Sequence, residues 1–285
     1  MATADKLTTV AQNVPKVYNA GLASLVNAMT NGGTNFSGMF AYFTEAYIYD
    51  EETSDSDTLY INRPKITTIP LIDTSKGTDF TYMFAYCVML TTIPQLNTSN
   101  GKDFSYMFNA CENLTTIPKL NASNGTNFNG MFSGCTNLTT IPQLDTSKGT
   151  SFGSMFDSCT SLTTIPQLDT SNGTNFYGMF YGCTNLTTIP QLNTFKGTNF
   201  DNMFGSSTTN SCTSLTTISF VKNCISANIS FRYCDVLSHD SLISILNGLK
   251  TVTSRKVCTI GATNLAKLTD EEKAIATQKN WTLTS

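Results

Sequence analysis

Six phenylalanines, Phe80, Phe104, Phe128, Phe152, Phe176 and Phe200, recur at a fixed interval of 24 residues, and this period constrains the chain more than any other feature. Met-Phe follows each of them three and four residues later, from Met83-Phe84 to Met203-Phe204. A Cys comes next at Cys87, Cys111, Cys135, Cys159 and Cys183, then a Leu at Leu90, Leu114, Leu138, Leu162 and Leu186. Thr-Thr-Ile-Pro then ends at Pro70, Pro94, Pro118, Pro142, Pro166 and Pro190, before a turn at Gly77, Gly101, Gly125, Gly149, Gly173 or Gly197. One such unit cannot bury its own apolar groups. Stacked units share a continuous core, so a period of this length demands a solenoid.

Each segment of the unit has a local reading. Phe-x-x-Met-Phe-x-x-Cys places apolar groups at i, i+3, i+4 and i+7, which predicts a short helix. Leu-Thr-Thr-Ile predicts a short strand, ended by a proline that has no N–H for the ladder. Asp73, Asn97, Asn121, Asp145, Asp169 and Asn193 are placed to form Asx-turns, and the following glycines are expected to take positive φ. The fold class is therefore an α/β repeat solenoid of leucine-rich-repeat type. It has 24-residue turns, each with a short parallel strand and a short helix.

Irregularities divide the chain. Residues 1–33 read as an N-terminal helical lead or attachment segment, with Leu7, Val10, Val14 and Val17 at helical spacing and an interruption near Pro15. The solenoid is expected over 34–220, with an insertion at about 41–64 that holds the acidic run Asp50–Asp57. That run lacks the ligand order of a calcium loop and reads as a solvated loop. A second, five-residue insertion lies around Ser207–Ser211 and delays the next Cys and Leu to Cys212 and Leu215. Residues 221–285 read as a C-terminal cap. It holds a helix around Leu242–Leu249, a strand at Val257–Ile260 and a last helix opened by the capping box Thr269-Asp270-Glu271-Glu272.

The unit Phe-x-x-Met-Phe-x-x-Cys-x-x-Leu-Thr-Thr-Ile-Pro-x-Leu resembles the BspA-like family of bacterial surface leucine-rich repeats, over roughly residues 34–220. The ending from Ile260 to Leu283 looks like the closing cap of such proteins. The opening, Lys6-Leu7-Thr8-Thr9-Val10 through Ala20-Gly21, is similar to leaders of repeat proteins encoded in bacteriophage and prophage structural regions. The resemblance implies adhesion and protein or glycan binding, without catalysis.

Composition argues in the same direction. Only 13% of residues are charged, 17 Lys+Arg against 20 Asp+Glu, with no basic block, so no nucleic-acid partner is expected. No apolar run approaches the ~18–20 residues that cross a bilayer, so no membrane insertion is expected. A single His239 leaves little for acid–base catalysis. Ser238-His239-Asp240 holds the residue types of a hydrolase triad, but adjacent side chains do not converge, and Ser238 reads as a helix cap. No enzyme, cofactor or metal site is expected. Of nine cysteines, six occupy equivalent positions and none forms Cys-x-x-Cys. Stacking would align them side by side at ~5 Å with parallel Cβ vectors, unsuited to the ~3.8 Å Cβ separation of a disulfide, so they read as buried free thiols. The Thr-Thr pairs from Thr91-Thr92 to Thr187-Thr188 read as strand residues.

Variation between units points to a surface. The pairs Thr81-Tyr82, Ala85-Tyr86, Ser105-Tyr106, Tyr177-Gly178 and Tyr181-Gly182 fall at freely varying positions, on the outer face of the expected helices. Tyrosine gives contact area at low entropy cost. Tyr82, Tyr86, Tyr106, Tyr177 and Tyr181 are thus the candidate ligand-binding residues.

The sequence expectation is a phage virion component, in the tail or on the outer surface, used for host attachment. Neither a signal peptide, a lipid-attachment Cys nor a hydrophobic anchor is seen, which suits assembly in the host cytoplasm. Other virion proteins would be partners through the N-terminal segment, a host-surface protein or glycan through the repeats, and homo-oligomerisation stays open. The alternatives are a bacterial cell-surface adhesin and a purely structural decoration protein of the particle.

Overall fold

The computed structural model describes residues 33–41, 67–69 and 71–285. The lead over 1–32, Pro70 and nearly all of the insertion expected at about 41–64 lie outside the described residues. Seven coils stack through parallel bridges that run from Asn35 through Asp79, Asp103, Asn127, Ser151 and Asn175 to Asn199. Two phenylalanine columns fill the core. Phe36, Phe80, Phe104, Phe128, Phe152, Phe176 and Phe200 form one, with ring centroids 5.5–5.8 Å apart and nearly parallel planes. The second runs from Phe40 to Phe204 and ends on Phe231 of the cap, 4.5 Å away. Offset parallel rings are a favourable aromatic geometry, and each fully buried Phe contributes about 2–3 kcal/mol of transfer free energy.

The Phe-x-x-Met-Phe-x-x-Cys segment is not a helix, and this corrects the sequence expectation. Its local bonds span three residues: Met83 N–H donates to the Phe80 carbonyl, Ala85 to Tyr82 and Cys87 to Phe84. The alternate N–H groups leave the coil. Those of Phe80, Tyr82, Phe84 and Tyr86 donate to the carbonyls of Asp103, Ser105, Met107 and Asn109 on the next coil, at 2.7–3.0 Å. A helix this short would strand its first four donors. Consecutive turns with cross-coil bonds satisfy them all. The corners take positive φ: Tyr82 (55°), Tyr86 (63°), Tyr106 (56°), Gly130 (61°) and Gly134 (75°) among them. Apolar spacing of i, i+3, i+4, i+7 is common to both arrangements, which is why it misleads.

The repeat glycines also differ from expectation. Gly77, Gly101, Gly125, Gly149, Gly173 and Gly197 are absent from the positive-φ set. Close approach explains them instead, because a Cβ on Gly101 would run into the Cζ of Phe104, and the same holds at each equivalent position. The preceding Asx-turns form as the sequence indicates: Ser75 N–H donates to Asp73 Oδ1, Ser147 to Asp145 Oδ1 and Ser171 to Asp169 Oδ1.

Regular strands are short. β1 (Thr188–Leu192) pairs in parallel with β2 (Thr217–Phe220), 29 residues on, so the insertion before Cys212 lengthens this coil without breaking the stack. The coil before β1 still bridges to it, with Thr187 N to Thr163 O at 3.0 Å, whereas the equivalent contacts from Thr115 N to Thr91 O and from Thr139 N to Thr115 O lengthen to 3.4 Å. The proline in each strand removes one ladder donor per coil.

The closing region adds β3 (Ile229–Ser230), α1 (His239–Gly248), β4 (Lys256–Thr259), α2 (Ala262–Leu265), α3 (Asp270–Gln278) and β5 (Trp281–Thr284). β3, β4 and β5 form a parallel sheet in that order. Ser238 caps α1 by accepting from Ser241 N–H, and Thr269 and Glu272 form the capping box of α3. Trp281 is buried, with its indole N–H donating 2.8 Å to the Lys250 carbonyl.

Candidate functional site

The two-turn corner sets the tyrosine-bearing face. Tyr82 and Tyr106 occupy the same corner position on adjacent coils, and their rings stack at 4.7 Å with planes 3° apart. Tyr106 lies over Gly130, which has no side chain to oppose the ring, and its hydroxyl accepts from Asn129 Nδ2 at 2.7 Å. Partial burial, together with the neighbouring Tyr106 and Tyr86 hydroxyls, pushes the Tyr82 phenol above its usual range. Tyr86 stands at the second corner of the Tyr82 coil and is exposed.

Tyr177 and Tyr181 lie about three coil rises from Tyr106, roughly 15 Å at ~4.8 Å per coil. They precede the positive-φ residues Gly178 and Gly182 and do not occupy corners themselves. Tyr177 is exposed, and the Tyr181 hydroxyl accepts from Asn210 Nδ2 at 2.9 Å. The structure therefore gathers Tyr82, Tyr86 and Tyr106 into one cluster and leaves Tyr177 and Tyr181 apart.

Sequence reasoning missed a second surface. A groove of about 1360 Å³ runs along the stack from Asp73 to Asn193. Its walls come from the residues after each proline: the Gln column, the Asx column and the Ser column. Gln95 Nε2 donates both to the Leu96 carbonyl of its own coil and to the Lys119 carbonyl of the next. Gln143 and Gln167 repeat this bonding. The signal was present in the Pro-Gln-Leu-Asx-Thr-Ser that begins at Pro94, Pro142 and Pro166, where polar identity persists more than at the tyrosine-bearing positions.

The remaining reactive groups are structural. All nine cysteines are free and buried. In the main column each Sγ–H donates to a phenylalanine carbonyl of the coil before it, as from Cys111 to Phe84 at 3.0 Å and from Cys183 to Phe156 at 2.9 Å. Burial pushes the Cys87 and Cys135 thiols up to about 12. Ser238 is engaged at its cap, and His239 Nε2 meets Glu272 Oε1 at 2.9 Å, so Ser238, His239 and Asp240 do not assemble. Among the described residues no three His, Cys, Asp or Glu side chains converge as metal ligands, and no helix is long and apolar enough to cross a membrane.

The coils carry a family signature. A family model described as Mycoplasma protein of unknown function, DUF285, matches residues 54–162 and 113–218, together more than half of the chain. The chain belongs to the DUF285 family. The matched DUF285 segments take in every described coil from Asp79 onward that bears the tyrosines and the groove. Among solved structures, the crystal structure of a leucine-rich repeat protein of T. pallidum is similar at 18% identity, with a TM-score of 0.45, over 67% of this chain and 83% of that one. No curated protein matches the chain.

Proposed function

We propose that this DUF285 member is a non-enzymatic recognition protein whose tyrosine-bearing face contacts a protein or glycan on a host surface. One observation carries the reading. Tyr82, Tyr86 and Tyr106 stand at positive φ in three corner positions, whereas the equivalent corners further along hold only small or amide residues: Ala110, Gly130, Gly134, Ser154, Ser158, Gly178, Gly182 and Asn202. A non-glycine corner of this kind costs on the order of 1 kcal/mol, and such strain tends to cluster at functional sites. Aromatic rings kept there against a backbone cost, clustered and half-exposed, have the character of a contact surface.

The particle is the second half of the proposal. Supported by the leader's resemblance to phage and prophage proteins, the chain is carried on a bacteriophage virion, docked through residues 1–33 with its coils outward. Many copies would add weak contacts through avidity. The family description names Mycoplasma, and that cellular source favours the second reading, a bacterial cell-surface adhesin.

Two measurements test these statements. Particles carrying Tyr82→Gly and Tyr106→Gly should assemble normally and adsorb to host cells at least tenfold more slowly. Unchanged adsorption refutes recognition by this face and leaves a decoration role. Mass spectrometry should find the chain in purified particles. Its presence on intact uninfected cells, and absence from particles carrying its gene, decides for the adhesin.

A further inference from the structure

We infer that the groove along the stack is a second binding site, separate from the tyrosine-bearing face, and that it takes a neutral, extended β-linked glycan. The inference starts from what the groove's polar atoms have left to offer. The partners of Gln95, Gln143 and Gln167 Nε2 are backbone carbonyls, which only accept, so the amide nitrogens must face the protein. Each Oε1 is then turned away with a free acceptor, and no donor among the described residues bonds it. The Asx column is fixed in the same manner. Oδ1 of Asn97, Asn121, Asp145 and Asp169 accepts from the backbone N–H two residues on. Asn97 and Asn121 consequently present an Nδ2 donor outward, and Asp145 and Asp169 an Oδ2 acceptor.

These atoms form an ordered track with a mixed sense. The Gln95–Asn97 coil offers an acceptor and a donor, the Lys119–Asn121 coil two donors, and the Gln143–Asp145 and Gln167–Asp169 coils two acceptors each. A peptide backbone has fixed donors and acceptors and cannot answer that order. A hydroxyl both donates and accepts, so a polyol satisfies every coil. The charge agrees: three carboxylates, Asp73, Asp145 and Asp169, line the groove against one lining cation, Lys119, and this excess of negative charge repels a polyanion. Geometry selects among neutral glycans. The lined coils from Asp73 to Asn193 span about 24 Å at ~4.8 Å per coil. A β-1,4-linked chain is straight and advances by close to one coil rise per sugar, whereas an α-1,4-linked chain curls away. At about 1360 Å³ the groove exceeds the ~300–1,000 Å³ of ordinary small-ligand pockets, as a polymer track should.

The fold itself supplies a blocking variant. Phe195 occupies the Ser column one coil beyond Ser171, is 56% exposed, and keeps the Asx-turn through its N–H to Asn193 Oδ1 at 3.2 Å. Ser123→Phe and Ser147→Phe should therefore fold and fill the groove. Isothermal titration of the full chain with cellohexaose and chitohexaose is expected to show binding by at least one, at least tenfold tighter than the corresponding disaccharide and than maltohexaose. The Ser123→Phe/Ser147→Phe variant, checked for an unchanged thermal transition, should lose at least tenfold in affinity. Tyr82→Gly/Tyr106→Gly should bind as the wild type does. No binding of either β-linked hexasaccharide, a preference for a polyanion or an extended peptide, or full binding by the filled groove would overturn the proposal. Loss of hexasaccharide binding in the tyrosine variant alone would overturn it too, by moving the glycan to the tyrosine-bearing face and leaving the recognition reading intact.

Discussion

Eight thiols, those of Cys87, Cys111, Cys135, Cys159, Cys183, Cys212, Cys234 and Cys258, are held above their ordinary ionisation range by burial, and this makes the fold sensitive to alkali. An unfolded thiol ionises near 9.0, whereas the folded Cys87, Cys135, Cys234 and Cys258 titrate at about 12. Above pH 9 the native state therefore binds more protons than the unfolded state, and stability must fall as pH rises. The contribution is fully present below the unfolded value and is lost on the way to the folded one. Each thiol removes about 1.4 kcal/mol per pH unit inside that window. Eight acting together remove about 3 kcal/mol by about pH 9 and about 11 kcal/mol by about pH 10, against a typical domain stability of about 5–15 kcal/mol. Circular dichroism followed across pH 7–11 should thus show a steep, cooperative loss of structure near pH 10. Ellman's reagent should find the thiols silent before that transition and reactive through it. Cys135→Ala/Cys159→Ala should lower the steepness by about 2.7 kcal/mol per pH unit, two thiols' share. Thiols that react at pH 8 in the intact fold, or a transition no shallower in the double variant, would refute the reasoning.

The corner and glycine geometry give further tests. Ser154, at φ 50°, has glycine at the equivalent position on both neighbouring coils, so Ser154→Gly should raise stability by about 0.5–1 kcal/mol in urea unfolding. Gly101→Ala should lower it by about 1–3 kcal/mol, because the added methyl meets the buried Phe104 ring. Thr269→Ala removes the capping box of α3 and should cost about 1 kcal/mol, read as a lower thermal midpoint.

What could be read from the sequence was the contact order of the coil. The period puts Phe104 above Phe80 and below Phe128, and their rings stack there. The Asx-turns and both caps, at Ser238 and Thr269, follow from local chemistry that acts within three residues. The two-turn segment was misread because an apolar face at i, i+3, i+4, i+7 does not report where the backbone bonds go. Cross-coil N–H donation by Phe80 and Tyr82 is a long-range term that outweighs helix formation. The tyrosines could be found as residues but not as a cluster, since grouping depends on which of them occupy corners. The groove was hidden for a different reason: the Gln side chains look like solvated turn residues until their carbonyl partners on the next coil are known.

The uniformity of the two phenylalanine columns has a consequence for how the chain finds its register. Any internal coil presents nearly the same upper and lower surface, so a misfolded chain that skips one unit still pairs rings with rings and thiols with carbonyls. Sequence identity within the coils cannot count them. The count is kept where the pattern breaks, at the 29-residue coil closed by Cys212 and at Phe231, whose ring meets Phe204 at 4.5 Å, closer than any pair in the regular columns. These irregular members act as an end stop. They make the full-length alignment unique while leaving the interior free to gain or lose whole units during evolution.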